Sequence, residues 1–272
     1  ICRPRTVAPM HELAFVLAGF VVGTVVGLTG VGGGSLMTPI LIFGFGIKPY
    51  LAIGTDLLFA AFTKGGGALA LARARLIDWP VVGLLSLGSI PAALATIWVL
   101  HRLGPADPAV QHLMTTTLGV ALLLTAAATL YKAVKGKTTP RHIEPAQLKQ
   151  AARPRHWALP VLFGAAIGTL VSLTSVGAGA IGVTALMLLY PALPLPRIVA
   201  ADIAYAVPLT LVAGLGHASI GSVDWRLLGL LLTGSLPGIW LGSRLVAKTP
   251  DRVIRSLLSV LLAYAGAKLI SI

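Results

Sequence analysis

Residues 27–39 read GLTGVGGGSLMTP, from Gly27 to Pro39, with four glycines in the five positions 30–34. Glycine is the weakest ordinary helix former, so a run of this density unwinds a helix. The run nevertheless lies between two apolar stretches, 11–28 and 34–47. An irregular backbone inside apolar sequence is tolerated only where protein covers it or a wet cavity receives it.

The rest of the chain explains why the run is buried. Of 272 residues, 56% are hydrophobic and 11% charged, with a mean hydropathy of +0.91. Soluble domains carry about 25% charged residues, so this chain lacks the polar residues to coat a water-facing surface. Stretches such as 81–100, 109–131 and 225–243 approach or reach the roughly 20 residues that cross a bilayer as a helix. No stretch alternates polar and apolar with period two, which excludes a barrel. The composition predicts an all-α, polytopic membrane protein whose non-protein environment is lipid.

The net charge of +13 does not point to nucleic acid, because the basic residues fall between the apolar stretches. They gather at Arg73 and Arg75, at 132–155, and from Arg244 to Arg255, a pattern typical of cytoplasmic loops near anionic lipid. One cysteine, Cys2, excludes an internal disulfide and a cysteine-based metal cluster. Basic residues precede the first apolar stretch as in a signal peptide, but its glycine ladder recurs later, so it reads as the first span.

That recurrence is general. Leu28-Thr29-Gly30-Val31-Gly32-Gly33-Gly34 returns as Leu173-Thr174-Ser175-Val176-Gly177-Ala178-Gly179, and Gly19, Gly23, Gly27 return as Gly164, Gly168, Ser172. Asp56 matches Asp202, Asp78-Trp79 matches Asp224-Trp225, and Gly88-Ser89-Ile90-Pro91 matches Gly234-Ser235-Leu236-Pro237. The organisation expected is a first transmembrane repeat over 1–134, a basic linker over 135–156 and a second repeat over 157–272. Each repeat has five apolar segments: 11–28, 34–47, 50–73, 79–101 and 109–134, then 157–174, 179–193, 197–219, 225–246 and 250–270. The second segment of each is too short for an upright span, so it either crosses with help or re-enters. Both routes leave an odd number of crossings per repeat and therefore inverted repeats. Charge counting places the linker in the cytoplasm and both termini outside.

Inverted repeats with matched broken segments mark secondary transporters, whose half-helix ends offer backbone amides near the membrane midplane. Gly32, Gly33, Gly34, Ser35 and Thr38 form one candidate anion site. Thr174, Ser175, Gly177 and Gly179 form its counterpart, and Tyr205 is a further cavity hydroxyl, beside the weaker Thr63 and Ser172. No lysine follows the glycines and no strand precedes them, which disfavours a nucleotide loop. The ladder Gly19, Gly23, Gly27 reads as a helix-packing seam.

Ionisable residues within spans are functional hypotheses by default. Lys64 has three readings: a substrate or coupling group, a structural partner for a buried acid, or a snorkelling cation. The following Gly65-Gly66-Gly67 suggests close backbone approach or a local break. Asp56 and Asp202 either bind a proton or cation, or cap and pair at helix starts. Asp78 and Asp224 read as N-caps beside interfacial tryptophans. Pro91 and Pro237 suggest kinks, and His217 reads as packed near a span end. No esterase elbow, zinc-protease motif or paired intramembrane acids on one helix face is present, so no enzyme, metal or cofactor is expected.

The segments GLTGVGGGSLMTPIL, AIGTDLLFAAFTKGGGALA, LTSVGAGAIGVTALMLLYP and AGLGHASIGSVDWRLLGLLLTGSLPGIWLG resemble the TauE/SafE family of sulfite exporters, over nearly the whole chain. The resemblance implies outward movement of sulfite, sulfoacetate, thiosulfate or a related small anion across the bacterial inner membrane, with a site between the halves. The chain departs from the family where Asp56 stands, often a small hydroxyl residue, and where Ser175 and Ala178 replace glycines. A monovalent anion leaving against a negative-inside potential gains about 2.3 kcal/mol per 100 mV, so export needs no coupled ion on this reading. Ion-coupled uptake, an anion channel, and a non-transporting structural or sensor subunit are the rival readings. Glycine seams also leave room for a homo-oligomer.

Overall fold

The computed structural model describes residues 9–29, 34–135, 157–245 and 251–270, which form ten α-helices and, among these residues, no strand. They are α1 (Pro9–Thr29), α2 (Gly34–Pro39), α3 (Pro49–Arg73), α4 (Trp79–Leu103), α5 (Pro108–Lys135), α6 (Ala158–Thr174), α7 (Ala180–Leu189), α8 (Leu195–Ser219), α9 (Trp225–Leu245) and α10 (Asp251–Ile270). A wider π-helical turn, Ile40–Gly44, extends α2. All ten predicted apolar segments are thus helical, and the two short ones are α2 with its extension and α7. Apart from Lys135, the predicted linker lies outside the described residues.

Helix starts follow the local chemistry. Proline sits in the first turn of α3, α4 and α8, where its missing N–H costs nothing and its fixed φ suits the helix. Asp224 caps α9 by accepting from Leu227 N at 3.0 Å, as predicted. Asp78 occupies the equivalent position before α4 but makes no side-chain cap bond. Its carboxylate instead accepts from Arg197 Nη1 at 3.0 Å, because the start of α8 lies beside the α3–α4 turn.

Among the described residues three helices, α4, the Pro108–Leu130 part of α5, and α8, are long and apolar enough to cross a membrane on length and hydropathy alone. The outer surface agrees: Leu17, Leu87, Leu162, Leu188 and Leu236 are all more than half exposed. All five tryptophans, Trp79, Trp98, Trp157, Trp225 and Trp240, are exposed near helix ends, where the indole ring suits the headgroup region. Arg102 and Arg244 lie over the Trp98 and Trp240 rings at 5.3 and 3.7 Å.

Helix pairing is reciprocal between the two halves of the chain. The helix α1 packs along α9 and α4 along α6, while α3 meets α8 and α5 meets α10. Exchanging the halves maps this set of pairs onto itself. The glycines make the closest pairs possible. A β-carbon at Gly19 or Gly23 would overlap the carbonyls of Leu231 or Ser235, and one at Gly164 or Gly168 would overlap those of Leu85 or Ser89. From the facing helices, Gly234 meets Val16 and Gly88 meets Val161 in the same way. Apolar surface gains little by association in lipid, so close backbone packing of this kind supplies the attraction. The packing reading of Gly19 and Gly23 holds. Pro91 and Pro237 both lie inside their helices, within three residues of these contact glycines.

Buried apolar side chains form two cores, to both of which α3 contributes. One gathers Leu57, Leu85, Ile97, Val171, Tyr190 and Tyr205; the other gathers Met37, Leu41, Phe59, Leu118, Leu231 and Leu262.

Candidate functional site

The α3 helix carries Asp56 and Lys64, and α8 carries Asp202 and Tyr205. Asp56 is fully buried, and Asp202, Tyr205 and Lys64 are at most 8% exposed. Asp56 sits two turns inside a helix that starts at Pro49, and Asp202 two turns inside one that starts at Leu195. Neither therefore caps a helix, which removes that reading.

The short second segments bring polar groups to these acids. Thr38, on α2 and fully buried, donates to Asp56 Oδ2 at 2.5 Å. Ser35 is buried on the same short helix, which Gly34 opens. Gly32 and Gly33 lie outside the described residues.

On the other side, α6 ends at Thr174 and the chain turns sharply. Ser175 adopts a left-handed conformation, φ 59°, and Gly177 and Gly179 have φ of 135° and 134°. Side chains other than glycine's rarely tolerate the last two. Thr174 Oγ1 donates to Leu170 O and accepts from Val176 N at 3.1 Å. Its hydroxyl serves the helix end, so Thr174 acts here on the backbone. Ser175 Oγ is buried and lies beside the Asp56 carboxylate.

Lys64 joins the two sides. Its Nζ donates to Ala178 O at 3.2 Å, across the interface between the halves. The same ammonium is in the field of Asp202 and, more weakly, of Asp56. The snorkelling reading fails because the group is buried and turned inward. Asp202 Oδ1 in turn crowds Gly182 of α7, where a β-carbon would collide with it. Tyr205 lies in the field of Asp202, and its hydroxyl is buried without a hydrogen bond.

Gly65-Gly66-Gly67 corrects an expectation. The α3 helix runs unbroken through them, nothing would lie within 4 Å of a β-carbon at Gly65 or Gly66, and the nearest atom to one at Gly67 is Ile203 Cγ2 at 4.0 Å. The glycines thin the helix beside Lys64 without any backbone approaching it. His217 is packed as expected, its Nε2 2.8 Å from Ser172 O, and it lies near Gly54 of α3.

Sequence reasoning missed three participants. Ala178 acts through its carbonyl, which no side-chain pattern reveals. Gly182 matters for the carboxylate it admits, and Arg197 for its pairing with Asp78. Only the last had a signal, since a lone arginine at a span start next to a matched acid invites a partner.

Comparison with known proteins identifies the family. Over residues 15–269 the chain matches the model of the family described as "Sulfite exporter TauE/SafE". It is 35% identical over 268 residues to "Probable membrane transporter protein YjnA" of Bacillus subtilis (strain 168), covering 95% of this chain and 100% of that protein. It is 27% identical to "Probable membrane transporter protein YunE" of the same organism, covering 96% and 98%. No solved structure matches the chain. The chain belongs to the TauE/SafE family of membrane transporters.

Proposed function

We propose that this protein is a carrier that moves a small sulfur-containing oxyanion, such as sulfite, sulfoacetate or thiosulfate, outward across the bacterial inner membrane. Two inverted repeats enclose the substrate between them, with the linker cytoplasmic and both termini outside. The substrate is received by Lys64, Ser35, Thr38, Ser175, Tyr205 and the backbone around Gly32–Gly34 and Gly177–Gly179.

One observation carries this reading: a buried lysine of the first half reaches the broken segment of the second half, at Ala178 O. A buried ammonium held by a carbonyl can exchange that carbonyl for an anion at little desolvation cost, since it has already left water. The guest would also gain the buried hydroxyls of Ser175 and Tyr205. The inverted arrangement is supported by the reciprocal pairing of α1 with α9 and α4 with α6. The sidedness is supported by the Arg197–Asp78 pair, which gathers Arg197 at the Arg73 and Arg75 end.

Counterflow in proteoliposomes tests the proposal. Vesicles loaded with unlabelled thiosulfate or sulfite should transiently accumulate the labelled anion, and Lys64→Ala should abolish that accumulation. Absence of counterflow with every sulfur oxyanion tried, using folded protein, would overturn the substrate class.

A further inference from the structure

We propose that Asp56 is a proton-binding site, and that a proton enters and leaves the carrier together with the anion. The proposal rests on the carrier reading above and adds a second transported species. It starts from an incompletely satisfied carboxylate. Asp56 Oδ2 accepts from Thr38, whereas Oδ1 is buried with no hydrogen-bond partner, and so is the neighbouring Ser175 Oγ. An ionised carboxylate is acceptor-only, and burying one with an unmet oxygen is costly; a protonated one gains a donor. A proton on Oδ1 would add a donor to a carboxyl that has the Ser175 hydroxyl beside it, and would leave the Thr38 bond to Oδ2 intact.

Charge points the same way. Among the described residues, the charged side chains acting on Asp56 reduce to Lys64, two turns along α3. The α2 helix brings Thr38, the α6–α7 connection brings Ser175, and α8 brings Asp202 and Tyr205 around Lys64 and His217 against Gly54, its Nε2 turned to Ser172 O. The α9 helix presents Asp224, whose carboxylate is turned to its own Leu227 N–H. Lys64 lies in the field of both acids, Asp202 and Asp56. With both acids ionised, this region is already negative before an anion arrives. An anion approaching Lys64 would meet repulsion from both carboxylates in a low-dielectric setting. Protonating Asp56, whose Oδ1 has no partner, removes one negative charge and lets the anion take its place.

The step involves only proton movement. One proton joins Asp56 Oδ1 as the anion binds, and the same proton leaves to water when the anion is released on the other side. For a monovalent anion the cycle is electroneutral. The membrane potential then no longer drives export, and the anion and pH gradients set the direction.

The test uses the full chain in proteoliposomes with an entrapped pH dye and the membrane potential clamped. Thiosulfate is the probe because it does not itself titrate near neutral pH. Thiosulfate entering wild-type vesicles should acidify the lumen. In Asp56→Asn the ratio of protons to thiosulfate should fall at least tenfold at whatever flux remains. Asp56→Glu, which keeps the acid, should retain proton movement with a shifted pH profile, and so decides the matter if the Asn variant carries no flux. Thiosulfate flux without acidification in the wild type would overturn the coupling and leave the carrier reading standing. An unchanged ratio in Asp56→Asn, or its loss in Asp202→Asn alone, would overturn the assignment to Asp56. No flux of thiosulfate or sulfite from folded protein would overturn both readings.

Discussion

The two helices that carry the acids, α3 and α8, invite direct comparison. Asp56 and Asp202 stand at matched depths, yet two turns further on α3 has Lys64 where α8 has Thr210. The Thr210 hydroxyl donates back to Ala206 O of its own helix at 2.8 Å, whereas Lys64 reaches across to the other half. Beyond these residues the contrast continues. On α3, Gly66, Gly67, Leu69 and Ala70 are exposed. On α8, Ala213, Gly214 and His217 are buried, with Gly214 packed on Leu58 and Gly216 on Ile97. One frame therefore serves two purposes. The α3 half supplies the cation, and the α8 half supplies the turn that receives it and a tightly packed end.

The sharpest way to break this contrast is to remove the two matched residues separately. Lys64→Met should lower the anion transport rate by roughly 100-fold, the scale of leaving a buried hydrogen-bond partner of a charged group unmet. Thr210→Val, which removes only a back-bond within one helix, should leave the rate within about twofold of wild type. Counterflow measured on both purified variants checks this. Equal losses would mean that the asymmetry between the helices carries no function.

Much of this contrast is legible in the sequence. Apolar segments separated by turn residues gave ten helices whose predicted and observed ends differ by a few residues, because Pro49, Pro80 and Gly104 punctuate them chemically. Lys64, Asp56 and Asp202 stood out because charge inside an apolar helix has few uses. The sequence did not reveal how the glycines divide their work. Gly19 and Gly164 admit a neighbouring helix, Gly177 and Gly179 hold a left-handed backbone, and Gly65 and Gly66 meet nothing. These are three different consequences of one absent side chain, and only the surroundings distinguish them. Backbone acceptors such as Ala178 O are hidden for a related reason, since every residue has one.

That division yields the next test. Gly168→Leu should force the α4–α6 pair apart at Ser89 and destabilise the protein by about 3 kcal/mol, the upper end for overpacking. Gly66→Ala should instead stabilise α3 by up to about 1 kcal/mol, since alanine is the better helix former and no atom stands in its way. Thermal unfolding in detergent compares the two. Destabilisation by Gly66→Ala would show that the thin stretch beside Lys64 is needed by a conformation other than this one, and would tie it to the transport cycle.

The smallest expected effect concerns the second asymmetry, between Asp78 and Asp224. Asp224 caps its helix, while Asp78 is held by Arg197 outside the apolar core of the spans. Burial raises the Asp78 carboxyl above its ordinary 3.8, and the Arg197 guanidinium only partly offsets that. A group raised in the folded state contributes stability that is fully present below its unfolded value and is lost as pH rises through the folded one. Arg197→Met removes the offset, so the fall in stability should begin near the same pH but run further. The extra loss at neutral pH should be about 1 kcal/mol, modest because the Arg197 side chain is 24% exposed and that of Asp78 13%. Unfolding temperatures of wild type and Arg197→Met, recorded from acid to neutral pH, should therefore diverge as pH rises. Asp78→Asn in the Arg197→Met background should remove the divergence. Curves that stay parallel across the range would mean that Asp78 is solvated in both proteins, and that the two matched acids differ in geometry but not in energy.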